Sequence, residues 1–280
     1  MKTYFDDISR ELAVAITKKY STSFSSATKL LSPAIRQDIY NIYGFVRLVD
    51  EIVDSFHQYD KRELIEDFEL QLYRALDFKI SLNPVLNAFQ ETVHKYQIDI
   101  EYIDAFMSSM KADLDISVYK DVAAYENYIY GSADVVGLMC LKVFVGGDQD
   151  AFETLKPYAE KLGSAFQKVN FLRDLQEDYE KLGRSYFPNT TVEQLSEEDK
   201  MRLINEIRAD FNEAYVGIVQ LPVEARLGVY VAYKYYLKLL EKIAATPAEK
   251  ITHSRIRVPN AVKFLLLGKS YMDFQFKQIQ

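Results

Sequence analysis

Two pairs of aspartates, each spaced four residues apart, are where this sequence could do chemistry. Asp50 and Asp54 stand in Val49-Asp50-Glu51-Ile52-Val53-Asp54, and Asp174 and Asp178 in Asn170-Phe171-Leu172-Arg173-Asp174-Leu175-Gln176-Glu177-Asp178. Both stretches read as helix, where residues i and i+4 share a face. Each pair then projects two carboxylates in one direction, with like-charge repulsion of about 0.2–0.5 kcal/mol per pair. A cation offsets that repulsion. Hard oxygen donors suit Mg2+, or Mn2+ in its place, and Mg2+ takes one or two carboxylates while leaving its other positions to water and substrate phosphate. Two such clusters facing each other would hold a diphosphate.

Each pair has neighbours on its own stripe. Tyr43, Arg47, Asp50 and Asp54 follow an i, i+4, i+7, i+11 pattern, which reads either as the wall of a polar-lined cavity or as a solvated helix face with an Arg–Asp pair. Asn170, Asp174 and Asp178 are successive i+4 positions, with Gln167 one turn earlier; these are oxygen donors for a hard cation. Phe166, Val169, Phe171 and Leu172 crowd the same turns, which argues against a plain acidic surface. Arg173 lies beside the acids as an ion-pair partner or a diphosphate contact.

Other segments could serve a phosphate. Ser21, Ser23 and Phe24 lie in a hydroxyl-rich helix break that is otherwise a simple turn; Arg184 and Tyr186 lie in the loop after the second pair; Arg255 and Arg257 lie in a polar stretch near the end. Arginine clamps phosphate oxygens through two donors, although loop arginines are commonly just solvated. The three histidines, His57, His94 and His253, have no ligand-like mutual spacing. Without a glycine-rich phosphate loop or dinucleotide fingerprint, no nicotinamide cofactor is expected.

Helices must position these groups. Glycine and proline are scarce (10 and 7), and apolar residues recur at helical spacing. The pattern places helices over Phe5–Lys19, from Ser32-Pro33 to about Phe56, over Lys61–Phe78, and from Asn83-Pro84 to about Tyr96. Further helices are expected over Ile100–Leu114, Val122–Val145 and Phe152–Lys181, followed by a loop over Leu182–Thr191. Ser196, ahead of Glu197, Glu198 and Asp199, reads as an N-cap opening a helix to about Gln220. Val223–Ala244 and a short Asn260–Lys269 complete the set. With no repeat, low-complexity tract or linker, a single all-α domain over residues 1–280 is expected.

Composition narrows the function. The net charge of −7 argues against a nucleic-acid partner, since phosphate-tracking surfaces are basic. One cysteine, Cys140, excludes an internal disulfide framework, and a cytoplasmic location is the simplest reading. Its surroundings read as packed helix rather than a nucleophile site. Asp6, Asp7 and Glu11 interrupt the apolar core a signal peptide would need. The most apolar stretch, Val135–Val145, falls short of the roughly 20 residues that span a bilayer. No membrane anchor is expected. Most of the 21 Tyr and 17 Phe must be core, and those lining a pocket could stabilise a carbocation through their ring faces.

At these residues the chain resembles the squalene/phytoene synthase family, head-to-head prenyl transferases with an all-α isoprenoid-synthase bundle around a central apolar cavity. Asp50-Glu51-Ile52-Val53-Asp54 resembles the first aspartate-rich motif in the form phytoene synthases favour, and Gln167 through Asp178 resembles the second. Gly183-Arg184-Ser185-Tyr186-Phe187-Pro188 is similar to the loop that follows, and Tyr130-Gly131-Ser132-Ala133-Asp134-Val135-Val136-Gly137 to the segment carrying a cavity tyrosine. Asp134 departs from the glycine that many members carry in that segment. The resemblance implies Mg2+ on Asp50, Asp54, Asp174 and Asp178, assisted by Asn170 and Gln167. It also implies diphosphate contacts from Ser21, Ser23, Tyr43, Arg47 and Arg257, a lining role for Phe24, Tyr186 and Tyr236, and Tyr130 near the reacting carbons. The implied reaction joins two geranylgeranyl diphosphates to phytoene; an enzyme using farnesyl diphosphate and a non-catalytic assembly factor on the same fold are the alternatives. A lipophilic product is compatible with hand-off at a membrane surface.

Overall fold

Helix α3 (Pro33–Asp54) illustrates how the sequence builds the scaffold. Ser32 caps it by accepting from the Ala34 amide, and Pro33 in the first turn gives up only an amide that lacks an intrahelical partner anyway. Ile35, Ile39, Ile42, Phe45, Val49 and Ile52 then recur every three or four residues and are all buried. Phe45 stacks on Phe89 of α5 (Pro84–Tyr96) with ring centroids 4.0 Å apart. Truncating it to alanine would cost about 3–5 kcal/mol, the transfer energy plus the cavity left behind.

The computed structural model describes residues 2–116, 118–119, 121–184, 186–187, 195–253 and 255–276. Before α3 come α1 (Lys2–Tyr20) and α2 (Thr22–Thr28); after it comes α4 (Lys61–Phe78). Beyond α5 lie α6 (Ile100–Ala112), α7 (Val122–Ile129), a π-helical turn (Tyr130–Asp134), α8 (Val135–Phe144) and α9 (Gln149–Leu182). The chain continues with α10 (Glu197–Ile218), α11 (Val223–Ala244), α12 (Ala248–Ile251) and α13 (Asn260–Gln275). The fold is all-α, with no β-strand among the described residues. Helix α9 packs along α8, α10, α11 and the π turn, and α3 along α1, α5 and α8, so the two aspartate-bearing helices frame one interior. No described helix is long and apolar enough to cross a membrane.

Several expectations need correction. The segment Val122–Val145 is not one helix, because the π turn interrupts it. Gly131 there lies so close to α6 that an added Cβ would overlap Ser109 Oγ, and Asp134 accepts from Ser164 Oγ of α9 at 2.8 and 3.0 Å. Those tertiary clamps, absent from local sequence, widen the turn. The helix break at Ser21 is present as expected: α1 ends at Tyr20, and Ser21 caps α2, its Oγ accepting from the Phe24 amide at 3.2 Å. The terminal helix α13 extends to Gln275 rather than Lys269. Helix α9 begins at Gln149, capped by Asp148, and carries Pro157 within it. In the expected Leu182–Thr191 loop, Ser185 and residues 188–191 lie outside the described residues.

Candidate active site

One cavity of about 470 Å³ opens between α3 and α9. Asp50 and Asp54 enter it from the last turn and a half of α3; Gln167, Asn170, Arg173, Asp174 and Asp178 enter from the C-terminal half of α9. The i+4 spacing read from the sequence therefore places both carboxylate pairs on the same interior. Most of the remaining wall is apolar or aromatic, including Phe24, Val46, Phe166 and Phe171.

The acids perturb one another. Withdrawal from water, then the neighbouring Asp54, pushes the Asp50 carboxyl up to about 7. The same order of causes, burial first and then Asp174 and Asp54, pushes Asp178 up to about 7. Asp54, on α3, thus weakens ionisation of a carboxyl on α9. Such mutual repulsion is what a cation relieves.

Cationic side chains meet this acidic set at its edges. Arg47 Nη1 lies 3.8 Å from Asp50, its other terminal nitrogen pairs with Glu51, and its guanidinium sits 4.5 Å over the Tyr20 ring. Its Nε is buried with no hydrogen-bond partner. Arg173 donates to Asp174 Oδ1 from Nε at 2.9 Å. Arg184, 6% exposed, reaches Asp54 Oδ1 at 2.9 Å and donates to the Asp113 carbonyl at 3.1 Å. Tyr43 stacks on Phe24 at 4.6 Å, and burial pushes its hydroxyl up to about 12. Tyr236 lines the same wall, face to face with Phe166 at 4.0 Å.

The residues suit a divalent cation. Asn170 Oδ1, one turn before Asp174, is buried with no hydrogen-bond partner, an acceptor waiting for a donor or a metal. The donor set is carboxylate and amide oxygen, which suits Mg2+. Among the described residues no three acidic, histidine or cysteine side chains converge on one point.

Not every expected residue reaches the cavity. Tyr130 sits half-buried in the π turn on the side of Glu160 and Glu101, and Tyr128, Ser132 and Ala133 line the cavity in its place. The π turn shifts the helical register there. Tyr186 stands behind the wall, stacked on Phe171 at 3.9 Å, and Ser21 and Ser23 cap or enter α2 without lining the cavity. Arg257 is exposed; its carbonyl accepts from Lys242 at 2.5 Å. Arg255, two residues earlier, instead meets Asp174 at 2.8 Å and Glu177 at 3.1 Å. Ile256 and Val258 turn inward, leaving both arginines outward, and only the first abuts the end of α9.

Asp113 escaped the sequence reading altogether. It lines the cavity, accepts from the Tyr128 hydroxyl at 2.8 Å and the Tyr119 hydroxyl at 3.3 Å, and burial pushes it up to about 6 against the pull of Arg184. A signal existed: a carboxylate at the C-cap of α6 sits at the negative end of the helix dipole, where it is unfavourable unless a cation answers it. Cys140 lines the cavity with its thiol pushed up to about 12 by burial, so it is inert.

The model of the squalene/phytoene synthase family matches residues 17–261. Chloroplastic phytoene synthase 3 of Zea mays is 30% identical over 285 residues, covering 92% of this chain and 64% of that protein. Chloroplastic phytoene synthase 1 of Solanum lycopersicum is 29% identical over 274 residues, covering 91% and 66%. The chain thus spans slightly less than two thirds of these relatives. Among solved structures, a dehydrosqualene synthase in complex with ligand superposes with a TM-score of 0.83 at 22% identity, over 96% of this chain and 98% of the other. Squalene synthase HpnC from Alicyclobacillus acidocaldarius gives 0.75 at 20% identity, over 85% and 95%. At those identities the likeness speaks for the fold.

Proposed function

This chain belongs to the squalene/phytoene synthase family, and we propose that it joins two prenyl diphosphates head to head, most simply two geranylgeranyl diphosphates into phytoene. The whole chain acts as one catalytic unit. The observation that carries the reading is the opposition of two carboxylate pairs, Asp50 and Asp54 against Asp174 and Asp178, at one apolar cavity. The phytoene synthases among the relatives support the choice of substrate.

In this reading Asp50, Asp54, Asn170, Asp174 and Asp178 hold divalent ions, Mg2+ or Mn2+. Those ions supply neutralisation of the departing diphosphate. Arg47, whose Nε lacks a partner, takes a diphosphate oxygen, with Arg173 and Gln167 beside it. Ser21 and Ser23 at the start of α2, Tyr43, and Arg184 orient the same groups. Arg255 assumes the part expected of Arg257. The apolar wall keeps water from the allylic cation left behind, and the ring faces of Phe24, Tyr43, Phe166 and Tyr236 stabilise it. The double bond of the second prenyl diphosphate attacks that cation, and loss of a proton from the carbon bearing its diphosphate closes the ring to a cyclopropyl diphosphate. Loss of the second diphosphate, rearrangement and loss of a second proton give the conjugated triene, with no reductant consumed.

The test is product identification. Purified protein is incubated with Mg2+ and either geranylgeranyl or farnesyl diphosphate, with and without NADPH, and the extracted hydrocarbon is identified. A 40-carbon triene without NADPH supports the reading. A 30-carbon product keeps the reaction and overturns the substrate. No product from either, with the protein folded, favours a non-catalytic assembly factor.

A further inference from the structure

Three helices around the cavity present small residues to it at helical spacing: Gly137 and Cys140 on α8, Ala214 and Gly217 on α10, Gly228 and Ala232 on α11. Two of these glycines do more than leave space. An added Cβ on Gly228 would lie 2.5 Å from Leu31 Cδ2, 2.9 Å from Leu31 Cγ and 3.0 Å from the Ala27 carbonyl oxygen. On Gly217 it would overlap Tyr158 Cβ and lie 2.9 Å from Tyr158 Cγ. Leu31 and Tyr158 both line the cavity. Each bulky side chain is thus seated in the gap where a glycine has no side chain of its own.

Both seats lie at the end of the cavity away from the acids. Along α9, Tyr158 precedes Asn170 by about 18 Å of helix, and along α11 Gly228 precedes Tyr236 by about 12 Å. On α3, the lining residue Ile39 precedes Asp50 by about 16 Å. The diphosphate ends of the substrates belong with the acids, so their hydrocarbon tails run toward Leu31 and Tyr158.

We infer that Leu31 seated on Gly228, together with Tyr158 seated on Gly217, sets how long a prenyl tail this chain accepts. This rests on the proposed function. The seats act by exclusion: while the glycines accommodate them, Leu31 and Tyr158 lie back and the cavity keeps its full depth. A side chain at position 228 displaces the flexible end of Leu31 into the tail's path. Only a tail that reaches the floor feels the change, so the longer substrate is penalised and the shorter one spared.

The test compares wild type, Gly228→Ala, Leu31→Phe and the double variant Gly228→Ala/Leu31→Ala. Two readouts are taken: the kcat/KM ratio for the twenty- against the fifteen-carbon diphosphate, and calorimetric binding of their non-ionising phosphonate analogues with Mg2+. Gly228→Ala and Leu31→Phe lower the ratio by about tenfold or more, the usual penalty for misfitting an apolar pocket. The double variant restores it, and a ratio taken on one sample, unlike total activity, does not move with the folded fraction. Binding of the twenty-carbon analogue weakens in parallel, with the fifteen-carbon analogue less affected. An unchanged ratio and unchanged binding in both single variants overturns the inference while leaving the proposed function in place. Wild type that turns over neither diphosphate, yet shows the length-selective change in binding, overturns the function and leaves the inference standing.

Discussion

Arg184 Nη1 lies 2.9 Å from Asp54 Oδ1, joining residues 130 positions apart in sequence. The same guanidinium donates to the Asp113 carbonyl and lies 3.7 Å from the Asp113 carboxylate. One buried cation therefore ties the end of α3 and the end of α6 to the segment leaving α9. It holds the acids of two helices at one mouth.

Removing that cation should be felt first as lost stability. Arg184→Gln leaves Asp113, 4% exposed at its side chain, without its opposite charge. Breaking one partner of a buried pair typically costs about 3–5 kcal/mol. The double change Arg184→Gln/Asp113→Asn should recover a large part of it, because both charges are then gone. Urea unfolding of the two variants against wild type makes the comparison.

Asn170→Ala should behave in the opposite way. Its Oδ1 is a buried acceptor with no partner, so removing it relieves an unmet need, and the bond lost with it is the long 3.5 Å one from Nδ2 to Gln167 Oε1. Thermal stability without metal should stay within about 1 kcal/mol of wild type. The Mg2+ concentration for half-maximal turnover should rise by about tenfold or more, the range seen when a metal site loses a supporting group. A Mg2+ titration of diphosphate release, beside a melting curve, reads both.

The metal-free protein should be more stable at pH 5.5 than at pH 8. Asp50 and Asp178 are pushed up to about 7 from an ordinary 3.8, so between those values the folded chain binds protons that the unfolded chain releases. Stability then falls as pH rises through that window and levels off above it. Bound Mg2+ replaces the protons, so its stabilising effect should be larger at pH 8 than at pH 6. Calorimetric melting at the two pH values, with and without Mg2+, shows the crossing.

Asp50→Asn and Asp178→Asn should each raise the melting temperature without metal, because each removes one member of a repelling set. Turnover should fall by about 100-fold or more, the scale of losing a preorganised electrostatic group. Helical circular dichroism should be unchanged. The pairing of gained stability with lost activity marks the acids as functional rather than structural.

The parts of this site that were legible in the sequence are those that one helix sets by itself. Asp50 with Asp54, and Asn170 with Asp174 and Asp178, follow from a repeat of four on a helix, and α3, α4 and α11 follow from apolar spacing, with Ser32-Pro33 marking the start of α3. Hidden features depend on contacts between distant segments. The π turn at Tyr130–Asp134 exists because Gly131 meets Ser109 and Asp134 meets Ser164, neither visible in a local window. Asp113 gains its place only when Tyr119, Tyr128 and Arg184 close around it. Which outward arginine of the last polar stretch abuts α9, Arg255 and not Arg257, is likewise set by packing between distant segments.

The central claim is that both acid clusters serve one metal-bound diphosphate, and calorimetric titration of inorganic diphosphate into the full chain tests it most directly. With Mg2+ present, binding should be measurable in wild type and lost in both Asp54→Asn and Asp174→Asn, one from each cluster; without Mg2+ it should be absent. Diphosphate binding that persists undiminished without Mg2+, or in either variant, would contradict the claim.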